Sequence, residues 1–325
     1  MAKIGNIELG EFPLLLAPME DVSDPPFRKL CKELGADVVY TEFISSEGLI
    51  RNAKKSTKKL DIYDKERPVG IQIFGGNLES MLQTVDIVSE ANPDFIDINY
   101  GCPVAKVVNK GAGAGILKDI DFMVELTDAM VKHSKLPITV KTRLGWDNNS
   151  VYITEVAERL QDVGIAALAI HGRTRQQMYK GVADWQPIAE VKNNPRIHIP
   201  IFGNGDVNTP EKARSMRDEF GLDGAMIGRA SIGNPWFFRE VKHFLKTGNH
   251  LPPPTIAERV AIVKRHVEMA TAWNGDVVGV LETRKHYGGY FKGIENFKPF
   301  RIKLVTAPDK DAVFEALEDI LDNFT

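Results

Sequence analysis

The spacing of short β-rich runs constrains this chain more than any other feature. Leu14 to Ala17, Val38 to Phe43, Val69 to Phe74, Phe95 to Asn99, Pro137 to Lys141, Ala167 to His171, Ile199 to Phe202 and Gly224 to Ile227 recur mostly at intervals of roughly 25 to 33 residues. Helical patterns separate most of them. Asp24-Pro25 opens one with an N-cap and a proline in the first turn, and another runs from about Leu78 to Ala91. Ile153, Val156, Ala157 and Leu160 mark one face of a third, and Pro210 to Phe220 forms a fourth. Single strands alternating with helices demand parallel strands joined by right-handed crossovers. Eight such units in about 240 residues predict an α/β fold of the (β/α)8 TIM-barrel type. A Rossmann sheet is the rival, but it would carry G-x-G-x-x-G at its first strand-to-helix turn, where this chain reads Pro18-Met19-Glu20-Asp21.

The rhythm stops at Leu251-Pro252-Pro253-Pro254. Beyond it only helical periodicity remains, with Ile256, Val260, Val263 and Val267, then Val313, Leu317, Ile320, Leu321 and Phe324. The expected organisation is a barrel domain over 1–250 and an all-helical domain over 255–325. The middle of that tail interleaves basic and aromatic residues, Arg284-Lys285-His286-Tyr287, Tyr290-Phe291-Lys292 and Phe297 to Lys303. That mixture suits RNA phosphates and unstacked bases, and equally suits a solvated face over an ordinary core.

Composition narrows the classes. The N-terminus lacks the apolar core of a signal peptide and no stretch approaches about 18 apolar residues, so a cytoplasmic protein without a membrane span is expected. The two cysteines provide neither a disulfide framework nor zinc-ligand spacing. Cys31 falls in the helical rhythm of Phe27, Leu30 and Leu34 and is expected in the core. Cys102 lies at the exit of an apolar strand, between Gly101 and Pro103, where a thiol is held on a stiff corner. The formal charge of −3 argues against a wholly basic nucleic-acid binder but allows a local basic face.

Barrels gather chemistry at the C-terminal ends of their strands. Those ends carry Pro18 and Met19, Gln72, Asn99 and Cys102, Lys141 and Arg143, and His171 and Arg173. The last two runs add Asn204, Gly205 and Asp206, then Gly228 and Arg229. These last groups form a prospective phosphate cradle, with glycines that admit backbone N–H groups and an arginine for the anion. Lys141 offers a fixed positive charge to a bound ring, and Gln72 offers both amide functions to a heterocycle. Gly111-Ala112-Gly113-Ala114-Gly115 reads as a flexible substrate-side loop. No histidine–carboxylate cluster with metal spacing occurs at these ends, so no metal is expected. A cysteine without an activating neighbour stays protonated at neutral pH and is better read as an acid than as a nucleophile. Cysteine protonating a carbanion-like carbon while a flavin delivers hydride is a coherent pairing.

These residues resemble a known family. Leu16-Ala17-Pro18-Met19, Asp97 to Pro103, Val140 to Gly145, His171-Gly172-Arg173-Thr174, Gly203-Asn204-Gly205-Asp206 and Ile227-Gly228-Arg229-Ala230 are similar, in order, to the signature segments of tRNA-dihydrouridine synthases, closest to the bacterial DusB-like branch. The likeness continues through Asn234 to Phe238 and on to Arg284-Lys285-His286. It implies FMN in the barrel, NADPH as reductant and tRNA as substrate. FMN would be held by Pro18, Met19, Gln72, Lys141, His171, Asn204, Gly205, Asp206, Gly228 and Arg229. Asn99 would address the uracil, with Arg143, Arg173, Arg284, Lys285 and His286 as further substrate contacts, and Cys102 would protonate C5 as hydride reaches C6. A monomer is expected. Three positions depart from the usual pattern: Tyr100 where relatives often carry methionine, Glu20-Asp21 where a small residue is frequent, and Gly288-Gly289 where many carry tryptophan. Two other readings remain open: a small-molecule flavin enzyme like dihydroorotate dehydrogenase, for which a helical tail has no obvious purpose, and a tRNA-binding factor with a vestigial flavin site.

Overall fold

A computed structural model of the chain describes residues 1–324. An antiparallel hairpin, β1 (Ala2–Ile4) and β2 (Ile7–Gly10), precedes the first barrel strand, β3 (Leu14–Leu16). The helix α1 (Pro25–Glu33) then starts where the side chain of Asp24 accepts a hydrogen bond from the Phe27 amide, with prolines in its first turn. The second run is shorter than its sequence implies. Strand pairing covers only β4 (Val39–Tyr40), the chain leaves the ladder at Thr41 to Phe43, and β5 (Ile44–Ser45) rejoins it. The lysine-rich stretch that follows folds as two short helices, α2 (Ser46–Ile50) and α3 (Lys54–Lys58).

The remaining units repeat more regularly. They run β6 (Val69–Phe74), α4 (Leu78–Glu90), β7 (Phe95–Asn99), α5 (Ala105–Val108), a 3-10 stretch over Gly113–Lys118 and α6 (Ile120–His133). Next come β8 (Ile138–Arg143), α7 (Ile153–Asp162), β9 (Ala167–His171), α8 (Gln186–Asn193), β10 (Ile201–Asn204), α9 (Pro210–Asp218), β11 (Gly224–Ile227) and α10 (Phe237–Thr247). Neighbouring strands pair in parallel from β4 through β6 to β11, and β11 pairs with β3. A bridge between Leu15 and Val38 completes the circuit, so this is an eight-stranded TIM barrel. Alternation decides which side chains fill it. Leu15, Tyr40, Phe95, Ala169, Phe202 and Met226 form the interior with Ala2 and Ile4 of the hairpin, while Leu14, Leu16, Ile71, Ile96 and Leu168 belong to the separate cluster packed with the helices.

Four further helices, α11 (Ile256–Asn274), α12 (Asp276–Tyr290), α13 (Lys298–Thr306) and α14 (Lys310–Phe324), build a second core around Val263, Val267, Tyr287, Leu304 and Leu317. The capping box of Thr255 and Glu258 starts α11 just past the prolines. This unit sits directly on the barrel. Phe27 of α1 packs against the His286 ring at a centroid distance of 4.5 Å, and the Gly233 amide donates to His286 Nδ1 at 3.1 Å. Gly288 and Gly289 do not interrupt α12, which continues to Tyr290.

Candidate active site

Cys102 lies one short loop beyond β7, and that loop is tied on every side. The side-chain oxygen of Asn99 accepts from the amides of Gly101 (2.9 Å) and Cys102 (2.8 Å), closing the turn. Arg143 Nε donates to the Gly101 carbonyl at 2.6 Å, and the Ala114 amide donates to the Cys102 carbonyl at 3.0 Å. Tyr100 is fully buried with its hydroxyl 2.9 Å from Thr127 Oγ1, so the larger side chain at this position anchors the loop to α6. The glycine-rich run is not the flexible loop expected from its composition. Ala112 to Leu117 are buried and back the cysteine turn, because small residues allow the backbone to pack against it. Cys102 itself is 7% exposed. Burial pushes its thiol up, against the lowering influence of the Val104 amide and Arg143, so it is protonated at neutral pH.

Gln72 stands behind this loop rather than on a cavity wall. It is fully buried, its Nε2 donates to Asp97 Oδ2 at 2.6 Å, and its Oε1 accepts from Asn99 Nδ2 at 2.8 Å. Both amide functions expected to meet a heterocycle are therefore committed to protein partners. Thr139 Oγ1 donates to the other Asp97 oxygen at 2.5 Å. Burial nevertheless pushes the Asp97 carboxyl up to about 6. The run Thr139–Asp97–Gln72–Asn99 is thus a hydrogen-bonded strut across β8, β7 and β6 that ends on the Cys102 amide.

In front of the thiol opens a cavity of about 920 Å³, within the range of small-molecule and cofactor sites. Pro18, Met19, Asn99, Lys141, Arg143, His171, Arg173, Asn204, Gly205, Asp206, Gly228 and Arg229 all line it, so the fold gathers these predicted residues and leaves out only Gln72 among the strand-end set. Lys141 Nζ donates to Asn204 Oδ1 at 3.2 Å; burial first, and Arg143 second, lower it to about 8. Arg173 Nη1 lies 3.2 Å from His171 Nε2, and because a guanidinium can only donate, the imidazole carries its proton on Nδ1. Burial and the surrounding cations hold His171 well below its usual range, so it is neutral. Asp206 occupies a left-handed conformation (φ 55°) and accepts from Arg173 (2.7 Å), the Ala183 amide (2.8 Å) and Arg229 (3.0 Å). Burial raises this carboxyl, but those donors outweigh it and the group stays below the ordinary carboxylate range. Its role is to align two arginines. At Gly205 a side chain would enter the cradle, since an added Cβ would lie 2.8 Å from His171 Cδ2.

The tail residues are placed differently. His286 is buried at the junction, and burial holds it well below its usual range. Arg284 donates to the Ala307 carbonyl at 2.8 Å and so binds α12 to α13. Lys285 is exposed and donates to the Asp21 carbonyl beside the barrel mouth. Three further residues complete the wall, of which sequence reasoning missed Tyr179. Tyr179 is 55% exposed in the loop after β9 and is flanked by Arg143 and Arg229, whose guanidinium carbons lie 5.7 and 5.4 Å from its ring centroid. Glu20 faces the cavity while bonded to Lys59 (2.5 Å), and Lys292 enters its rim from the helical domain. A H-G-R-T-R run followed by an aromatic was the available signal for Tyr179, and Lys292 belongs to the basic and aromatic stretch of the tail.

Comparison with known proteins fits this arrangement. A family model described as Dihydrouridine synthase (Dus) matches residues 15–325. tRNA-dihydrouridine synthase B of Pseudomonas putida is 40% identical over 317 residues, covering 96% of this chain and 90% of its own length. The protein of that name from Proteus vulgaris is 38% identical, covering 99% of each chain. Among solved structures, morphinone reductase in complex with tetrahydroNAD superposes with a TM-score of 0.53 at 11% identity, covering 76% of this chain and 89% of that one, a likeness of fold.

Proposed function

Because the chain belongs to the dihydrouridine synthase family, we propose that it reduces uridines in tRNA to 5,6-dihydrouridine, with FMN bound at the barrel mouth and NADPH as reductant. The observation that carries the reading is a protonated thiol, clamped by Asn99 and facing a cationic cavity. The cavity's donor set fits FMN. Arg229, with the backbone at Gly205 and Gly228, would hold the phosphate, and Lys141, His171 and Asn204 would lie along the flavin, beside Pro18 and Met19. FMN held by these residues and reduced by NADPH would supply hydride to C6 of the uracil.

The protein's own residues account for the rest. Cys102 Sγ donates its proton to C5, so that one hydride and one proton saturate the double bond. Asn99 addresses the uracil through the turn it fixes, because its own amide is occupied in aiming the thiol. Arg143 uses Nε and Nη1 on backbone carbonyls, and its Nη2 makes no hydrogen bond to a described residue, leaving that donor for a pyrimidine carbonyl. Burial keeps His171 neutral, with Lys141, Arg143 and Arg173 adding to it, and Arg173 holds the loop after β9 with hydrogen bonds to the carbonyls of Lys180 and Gly181. The target base must leave its stack to enter such a cavity, at a cost of about a few kcal/mol. Lys285 and Lys292 offer exposed cations to the tRNA beside the mouth.

The test is direct. Purified protein supplied with FMN and NADPH converts unmodified tRNA to a product carrying two extra hydrogens per target uridine. Cys102→Ala retains flavin and NADPH oxidation while product formation falls about a hundredfold or more, the usual range for loss of a general acid. A protein that takes up no flavin on reconstitution, or a Cys102→Ala variant with undiminished product, would overturn the assignment.

A further inference from the structure

A second cavity, of about 780 Å³, adjoins the first and shares Glu20 and Phe43 with it. Its walls come from the chain after β5, the turn after β6 and the segment that follows Cys102. Its lining includes five cations, Arg51, Lys55, Lys59, Lys106 and Lys110, against Glu20 and Glu47, in a chain whose net charge is −3. The cations fall into two groups. Arg51, Lys55 and Lys59 are paired with Glu47 and Glu20. Lys106 and Lys110 are exposed, and their ammonium groups make no hydrogen bond or ion pair with any described residue. Phe43 and Phe74 add two rings in edge contact, with centroids 5.5 Å apart.

We propose that this groove is a subsite for the nucleotides flanking the target uridine, with Lys106 and Lys110 on RNA phosphates and the Phe43–Phe74 pair beneath an unstacked neighbouring base. The proposal rests on the reading of RNA as substrate. A nucleotide whose base enters the catalytic cavity leaves its phosphates at the mouth, so the strand must continue over a surface contiguous with that mouth. The groove meets this requirement through Glu20 and Phe43, which serve both cavities. Free lysines and aromatic faces are the combination that binds single-stranded RNA without regard to sequence. The two lysines stand four and eight residues beyond Cys102, on α5 and the turn that ends it. Strand position is thereby referred to the same short segment that carries the thiol.

The test measures binding of unmodified tRNA to full-length protein over a salt series, in a Cys102→Ala background so that no turnover intervenes. Lys106→Met/Lys110→Met is expected to lower affinity on the order of tenfold, and to flatten the log–log salt slope by about 1.4, the value for two single-strand phosphate contacts. With Cys102 intact, the same pair raises the KM for tRNA, while NADPH oxidation without RNA stays within about twofold. Lys132→Met/Lys135→Met, at the opposite rim of the barrel, changes neither. Unchanged affinity and slope in the groove variant would overturn the proposal, as would an equal loss in the control pair. A raised KM for NADPH with normal tRNA binding would also overturn it, and would assign the groove to the dinucleotide. Failure of the activity itself shows separately, as absence of dihydrouridine with the wild-type protein.

Discussion

Gln72→Glu places a carboxylate where an amide now donates, and the strut behind Cys102 makes the outcome calculable. The wild-type Nε2 sits 2.6 Å from Asp97 Oδ2, so the replacement sets two carboxyl oxygens at that separation in a fully buried site. They can coexist only by sharing a proton. Asp97 alone already titrates near 6 in the fold against an ordinary 3.8, because burial disfavours its charge. That difference corresponds to about 3 kcal/mol. Its sign follows from proton uptake: a carboxyl with a raised folded-state pKa binds more protons folded than unfolded, so stability is greatest below about 4 and declines as pH rises to 6. The second carboxyl extends the decline to higher pH. At pH 5 the variant should lie within about 1 kcal/mol of wild type, and by pH 8 it should have lost roughly 3 kcal/mol more than wild type, at about 1.4 kcal/mol per unit of retained proton. Gln72→Leu adds no carboxyl but removes the hydrogen bond that lowers Asp97, so it should lose about 2 to 4 kcal/mol already at pH 5, from two buried groups left without partners, and decline further with pH less steeply than Gln72→Glu. Urea unfolding followed by circular dichroism at pH 5, 6.5 and 8 distinguishes the cases. A Gln72→Glu profile parallel to wild type would refute the strut.

Two further outcomes follow from the geometry. Gly233→Ala should loosen the C-terminal helices from the barrel, since an added Cβ would lie 2.0 Å from the His286 carbonyl at a residue with φ of 61°; faster trypsin cleavage after Lys246, just ahead of the proline run, and a lower Tm would register this, and an unchanged digest would count against it. Lys141, lowered by burial to about 8, should lose its charge as pH rises through that value, so FMN affinity should weaken above pH 8 in fluorescence titrations. Lys141→Met should bind more weakly and show no such transition, and a wild-type affinity that stays level to pH 9.5 would remove the lysine from the flavin site.

The barrel was legible because burial on both faces of parallel strands leaves apolar runs that the intervening helices space out. Strand-end reasoning then placed Cys102, Lys141, His171 and Arg229 around one cavity, since every strand in such a barrel points the same way. It did not foresee that the Gln72 amide bonds to Asp97 and Asn99. No single-strand pattern reveals a side-chain bond to the neighbouring strand. It failed at Gly111 to Gly115, where small residues signalled close packing rather than freedom. In the tail, one basic triplet divides three ways because α12 turns Lys285 outward, His286 into the junction and Arg284 toward α13. Lys292 was legible as part of a basic stretch, but its place at the cavity was not, because its neighbours there come from the barrel loops.

The burial of Cys102 has a consequence for the enzyme's survival between turnovers. Oxidants and alkylating agents attack thiolates, and a buried thiol with a raised pKa offers few. Reduced flavins release peroxide when oxygen reaches them, so a reactive thiolate at this position would be exposed to damage from its own cofactor's side reaction. On the proposed function, holding the sulfur as a neutral acid would keep it in the one form that can both give up a proton on demand and withstand peroxide while no substrate is present.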